Sequence, residues 1–266
     1  MKTIIAIGVI GMLLFGMTSS TTVSYPSIKS RSYGKGEVLR YRLSYGIMDA
    51  GEAVLSVNET TVTGADNRPL LHVKGEGKTL GAFNWFYEVK DVYESYIDKE
   101  GGFPWYFLRD VNEGGYTIKQ KYVFHQNKQK VQTENKKNNK KDEFNVPLGI
   151  QDMISSFYYA RTIDFSNLKP GDIIEFKCFM DEEIWPLKIK YLGKEEVKIR
   201  SGKFKTLKFT PAVQKGRVFG KNDDLQVWIT DDANHIPVLA KAKIAVGSIK
   251  MHLVEWQGLK GKISKI

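Results

Sequence analysis

The chain predicts a mainly β protein: one large curved antiparallel sheet, or an open β-barrel-like shell, with one internal α-helix. Three observations predict it. Between residues 202 and 253 apolar and polar side chains alternate, as in Leu225-Gln226-Val227-Trp228-Ile229. A period of two gives a strand one buried and one wet face. Segments of this kind recur roughly every 8–14 residues, about a dozen in all, with Gly, Asn, Asp and Pro between them. Only residues 149–161 carry a helical period instead.

Taken in order, residues 37–45 alternate, with Leu39, Tyr41, Leu43 and Tyr45 on one face and Arg40, Arg42 and Ser44 on the other. Residues 46–51 turn or bulge into a second strand at 52–59. Thr63-Gly64-Ala65-Asp66-Asn67 is hairpin chemistry, and 70–75 is a third strand. Residues 83–97 read as one long aromatic strand in which Asp91, Tyr93 and Ile97 share a face and Asp91 points inward. Strands at 103–108 and 116–125 follow. Residues 126–143 hold six lysines and few apolar residues, the pattern of a hairpin tip or mobile loop. In 149–161, Ile150, Met153, Ile154 and Phe157 fall at i, i+3, i+4 and i+7, so one helical face meets a sheet or barrel interior. Strands at 172–180, 185–192 and 195–200 lead into the final block. No Pro/Ser-rich linker divides the chain. The domain reading is a signal peptide over 1–20, a polar lead-in over 21–35 and a single β-rich domain over 36–266.

The signal peptide rests on Lys2, an apolar run from Ile4 to Met17 and the small residues Thr18-Ser19-Ser20. The run is too short to cross a bilayer comfortably, and no later segment is apolar enough to span one. The chain is therefore read as exported, to the periplasm, the periplasmic face of an outer membrane or the outside. Its one cysteine, Cys178, forms no intramolecular disulfide and reads as a small buried apolar residue. The formal charge is +10, of which Lys2 supplies one. In an exported chain this favours anionic envelope material over nucleic acid. Lys128, Lys130, Lys136, Lys137, Lys140 and Lys141 are the candidate membrane-surface contacts.

No catalytic motif stands out. The four histidines, at 72, 125, 235 and 252, lack zinc-type spacing. There is no Gly-x-Ser-x-Gly elbow and no phosphate-cradling loop between strand and helix. No cofactor or metal site is expected. Asp91, Asp152 and Arg161 sit in apolar or aromatic surroundings, and a buried charge requires a partner. They and the aromatics Trp85, Tyr87, Tyr93 and Trp228 are the candidate ligand-binding residues, as a polar spot within an aromatic-lined cavity. The competing reading pairs one of these two acids, Asp91 or Asp152, with Arg161 and locks the helix onto the sheet.

Several motifs resemble one family. Gly36-Glu37-x-Leu39-x-Tyr41, Tyr45-Gly46 and Ala50-Gly51-Glu52-Ala53 resemble its start. Asp152 to Arg161, Pro170-Gly171-Asp172 and Gly202-Lys203-Phe204-Lys205-Thr206 look like its middle. Val227-Trp228-Ile229-x-Asp231-Asp232, Ile236-Pro237-Val238 and Gly247-Ser248 look like its end. The family is the uncharacterised exported bacterial domain of unknown function 3108. The resemblance implies a curved antiparallel β-structure in a Gram-negative envelope and implies no activity. By fold analogy alone the chain is similar to periplasmic lipoprotein or lipid carriers with an open barrel and a plugging helix. The leading functional expectation is a non-enzymatic binding protein for a lipid, glycan or envelope partner. The alternatives are an envelope-polymer hydrolase using Asp91, Asp152 or Asp231, and a scaffold or assembly component that pairs through an exposed strand edge.

Overall fold

The computed structural model describes residues 23–212, 225–244 and 247–266, so the expected signal peptide lies outside the described residues. In chain order the elements are β1 (Val38–Tyr45), β2 (Met48–Thr63), β3 (Pro69–Thr79), α1 (Gly81–Phe86), β4 (Val89–Asp98), β5 (Pro104–Glu113), β6 (Tyr116–His125), β7 (Lys130–Asn135) and β8 (Lys140–Asn145). They continue with α2 (Met153–Ala160), β9 (Ile173–Met180), β10 (Glu183–Ile199), β11 (Gly202–Ala212), β12 (Leu225–Thr230), β13 (Pro237–Lys243) and β14 (Ser248–Gln257).

All fourteen strands described join one sheet in the order β8-β7-β6-β5-β4-β3-β2-β1-β14-β13-β12-β11-β10-β9. Each strand pairs antiparallel with its neighbour. Two meanders therefore meet where β1 pairs with β14. The sheet ends at β8 and β9, the strands flanking α2. It curls, because its two ends share a core: Tyr122 of β6 lies 5.6 Å from Phe179 of β9, ring to ring. Inside the curl sits α2. Gln151, just before it, makes a parallel bridge to Cys178 on the β9 edge, and Asp152 reaches Ser95 on β4. Gln151, leading into the helix, thus takes up hydrogen bonds on the β9 edge that a closed barrel would have given to a strand.

Some local readings are corrected. Residues 83–86 belong to α1, and the strand begins at Val89. Trp85, Phe86 and Tyr87 are consecutive rather than alternating, so one strand face could never bury them together. Helix α2 starts at Met153, later than its period suggests. Gly149 at φ +77° and the edge-pairing Gln151 hold the preceding residues in other conformations. Asp152 then caps the helix in a reciprocal box with Ser155. Its burial also differs from a one-face helix, since Ser155, Ser156 and Tyr158 are the buried residues. A helix enclosed by a curled sheet has neighbours on several sides. Of the two readings of the lysine-rich stretch the hairpin holds: β7 pairs with β8, closed at residues 136–139. Ser32 and Tyr33, in the lead-in, are buried, with Tyr33 packed edge-on against Tyr158 at 4.6 Å.

Candidate functional site

Strand alternation and helical period converge on one apolar cavity. On β11, Phe209 and Pro211 are two apart and share a face. On β12, Val227 and Ile229 do the same. Phe157, Ala160 and Arg161 of the α2 segment recur at i, i+3 and i+4. With Phe165, Ile189, His235 and Pro237 they surround a cavity of about 140 Å3. Rings and methyl groups make its wall. Cavities of about 150 Å3 with such walls stay dry and accept a benzene-sized guest, while pockets for drug-sized ligands run to about 300–1,000 Å3. The space suits one ring or a short hydrocarbon segment rather than a whole lipid.

Arg161 forms the floor and turns its charge away. Its Nη1 and Nη2 donate to Glu37 Oε1 and Oε2 at 2.7 and 2.8 Å, and its Nε donates to the Asn234 carbonyl at 3.1 Å. Arg161 is 2% exposed and Glu37 0%. The Arg161 carbonyl accepts from the Ser32 hydroxyl and, at 2.8 Å, from His235 Nδ1. A carbonyl only accepts, so Nδ1 carries the hydrogen in this bond. One residue therefore ties the lead-in, the end of α2 and the β12–β13 connection together. The guanidinium also lies 5.2 Å from the Tyr158 ring and 5.7 Å from Tyr33. The hydroxyls of Tyr33, Tyr41 and Tyr158 are buried without a protein partner. Burial pushes Tyr33 up to about 12 and also raises Tyr41 and Tyr158, so all three remain phenols.

A second, polar group lies on the inner face of β4–β6. Arg109 donates from Nε to Gln120 and from Nη2 to Asp181, both at 2.7 Å. Tyr122 donates to the same Gln120 at 3.1 Å. Burial raises Tyr93 and Tyr122, each to about 12. Asp91 accepts from the Asn112 N–H at 3.2 Å, and its carboxyl is raised first by burial and then by neighbouring Glu113. On the outer face of β6–β8 a groove of about 330 Å3 is lined by Lys121, Gln132, Glu134, Lys141 and Glu143. Val123 adds an apolar side chain among these charged ones. Among the described residues no three His, Cys, Asp or Glu side chains group as metal ligands would.

The seven sequence candidates do not form one site. Arg161 lines the cavity. Trp228 lies between Val227 and Ile229, so alternation sends it to the other face. There its Nε1 donates to Glu195 at 3.1 Å and Lys208 Nζ sits 4.8 Å over its ring. Asp152 is the α2 cap: it accepts from the Ser155 N–H and the Ser95 hydroxyl, each at 2.6 Å. Burial pushes its carboxyl up to about 6 against those bonds. Tyr93 stacks on Phe107 at 6.4 Å, and Asp91 is held as above. Trp85 is 91% exposed on α1, and Tyr87 beside it is exposed too. Of the six candidate lysines, Lys130, Lys136 and Lys140 pair with Glu143, Glu134 and Asp142, and Lys137 donates to the Thr117 carbonyl. The cavity residues Phe165, Phe209, Val227 and Ile229 were missed. Parity within β12 was the available signal, since it opposes Val227 and Ile229 to Trp228.

The family model described as "Protein of unknown function (DUF3108)" matches residues 40–254. No curated protein matches the sequence. Among solved structures, the chain is similar to a beta-barrel-like protein of the domain of unknown function DUF1849 from Brucella abortus. The TM-score is 0.58 and the identity 10%, over 86% of this chain and 100% of that one. That likeness supports the barrel-like fold. Two weaker likenesses, each with a TM-score of 0.31 and 9% identity, cover all of the other chain. One is to a protein described as a lipoprotein from Parabacteroides distasonis, over 88% of this chain. The other is to a protein described as exported, with a YmcC-like fold, from Bacteroides fragilis, over 86%.

Proposed function

We propose a function for a chain that belongs to the DUF3108 family of proteins of unknown function: an exported, non-enzymatic binding protein that holds the hydrocarbon end of an amphiphile inside its open shell. The observation carrying this is the cavity of about 140 Å3 beside α2. Its apolar wall sits within a curled sheet left unclosed between β8 and β9. An apolar chain end entering there leaves water without stranding any polar atom. The two polar side chains of the wall are engaged, Arg161 with Glu37 and His235 Nδ1 with the Arg161 carbonyl, so the polar part of the ligand stays outside. The acids weighed for hydrolysis serve other ends. Asp152 caps α2, and Asp231 pairs with Lys194 at 2.7 Å.

Titration with cis-parinaric acid, read by its fluorescence, tests the reading. Saturable binding is expected. Val227→Trp or Ala160→Phe, which place bulk in the cavity, weaken it at least roughly 10-fold, the effect of losing about 1.4 kcal/mol of contact. Trp85→Ser leaves it unchanged. Absence of saturable binding, or full binding by both filled variants with native circular dichroism, refutes the proposal.

A further inference from the structure

The ends of four neighbouring hairpins carry most of the large apolar side chains that the described residues expose. The β13–β14 end shows Ile244 and Ile249, and the β1–β2 turn shows Ile47 (94% exposed) and Met48. The β3–β4 connection shows Trp85, Phe86 (87%) and Tyr87, and β6 opens with Tyr116. These ends are adjacent in space as well as in the sheet order. Tyr45 is in register with both Ile249 and Met48. The Leu80 N–H donates to the Ala50 carbonyl at 2.9 Å, and the Gly114 N–H donates to the Glu88 carbonyl at 2.8 Å. Tyr87 leans over the β5–β6 turn, where a Cβ on Gly114 would come within 2.4 Å of its Cε2. One rim of the shell thus carries an arc of eight exposed rings and aliphatic side chains. Apolar patches of this kind mark interaction surfaces on soluble proteins.

The chemistry of the arc selects its partner. None of the eight lines any cavity described above. Three matched charge pairs lie beside the arc: Lys90 with Glu88 at 2.6 Å, Lys119 with Asp110 at 2.6 Å, Arg200 with Asp49 at 2.8 Å. Lys243 and Lys250, next to Ile244 and Ile249, are exposed. Side chains that project separately from hairpin ends enter a surface that deforms around each of them. Trp and Tyr, with an apolar body and a polar tip, belong at the headgroup boundary of a bilayer. We infer that this rim docks the protein on the surface of a lipid bilayer, with Trp85 and Phe86 entering the interface and the matched charges staying in water. The same rim ends the cavity wall, because Pro211 lies one residue before the end of β11 and Val227 two residues into β12. Docking would set the cavity over the membrane. The inference goes beyond the binding reading and holds even if the cavity takes no ligand.

Flotation of the chain from Thr21 onward with phosphatidylcholine vesicles tests it. The protein is expected to float at both low and high salt, and brominated phosphatidylcholine is expected to quench tryptophan emission. Trp85→Ser with Phe86→Ser lowers partitioning by roughly 10-fold for each ring removed. Both residues are exposed, so the thermal midpoint stays unchanged. Three results would overturn it: no flotation with phosphatidylcholine, equal flotation of the double variant, or flotation confined to phosphatidylglycerol vesicles and lost at high salt. The last would mean adsorption through lysines. Parinaric acid binding, measured without vesicles, reports on the cavity separately.

Discussion

Replacing Arg161 with Met removes the guanidinium and keeps the apolar stem that floors the cavity. Glu37 then remains at 0% exposure with both carboxylate oxygens stripped of their 2.7 and 2.8 Å donors. Two unit charges about 4 Å apart attract by about 4 kcal/mol at an effective dielectric near 20. Breaking a buried pair from one side typically costs about 3–5 kcal/mol, because the survivor keeps its desolvation penalty. The carbonyls of Asn234 and Ser32 also lose a donor, at 3.1 and 3.4 Å. We therefore expect Arg161→Met and Glu37→Met each to cost about 3–5 kcal/mol. The double variant is expected to cost less than the sum of the two by about 3 kcal/mol or more, since it strands no charge. Urea unfolding followed by circular dichroism gives these values, with an unchanged slope as the sign that the unfolded state is the same. Single variants costing under about 1 kcal/mol, and adding simply in the double variant, would refute the claim that this pair pins the lead-in, α2 and the β12–β13 connection together.

Three more outcomes follow from the packing. The Asp152 carboxyl, raised from 3.8 to about 6, holds a proton in the folded state over a range where the unfolded state has lost it. The stability this group contributes is fully present below pH 4 and is lost, by about 3 kcal/mol, as pH rises through 6; the difference in melting midpoint between the parent chain and Asp152→Asn across pH 3–8 checks it. Gly258, at φ +66°, passes so near Gly36 that an added Cβ would lie 2.0 Å from a backbone oxygen, so Gly258→Ala is expected to lower stability by about 2–4 kcal/mol in urea titration. Cys178 is 2% exposed and burial pushes its thiol up to about 12; it should react with Ellman's reagent only after unfolding.

The alternation that predicted strands depends only on near neighbours, and it placed Leu39 and Tyr41 on one face without knowledge of the sheet order; both are buried. The same local rule sets Trp228 opposite Val227 and Ile229, a signal that choosing Trp228 as a lining residue passed over. Capping left a local signal too, Asp152 three residues before Ser155, but the helical period read over 149–161 set Asp152 inside the helix instead. Residues 83–87 misled because a run of aromatics satisfies strand propensity while breaking strand period, and exposure of Trp85 is a property of the rim, not of the segment. The buried partner of Arg161 was invisible for another reason. Glu37 stands 124 positions away in an ordinary strand approach, and nothing in either stretch announces the other.

Composition and period determined a β shell with a helix inside it, because those signals are set by which side chains avoid water along a few residues of chain. The pairing of β1 with β14, the seam at β8 and β9, the cavity beside α2 and the apolar arc on one rim came only with the tertiary structure. Each depends on contacts between residues distant in sequence, and local side-chain periodicity carries no record of which distant segment will curl round to meet it.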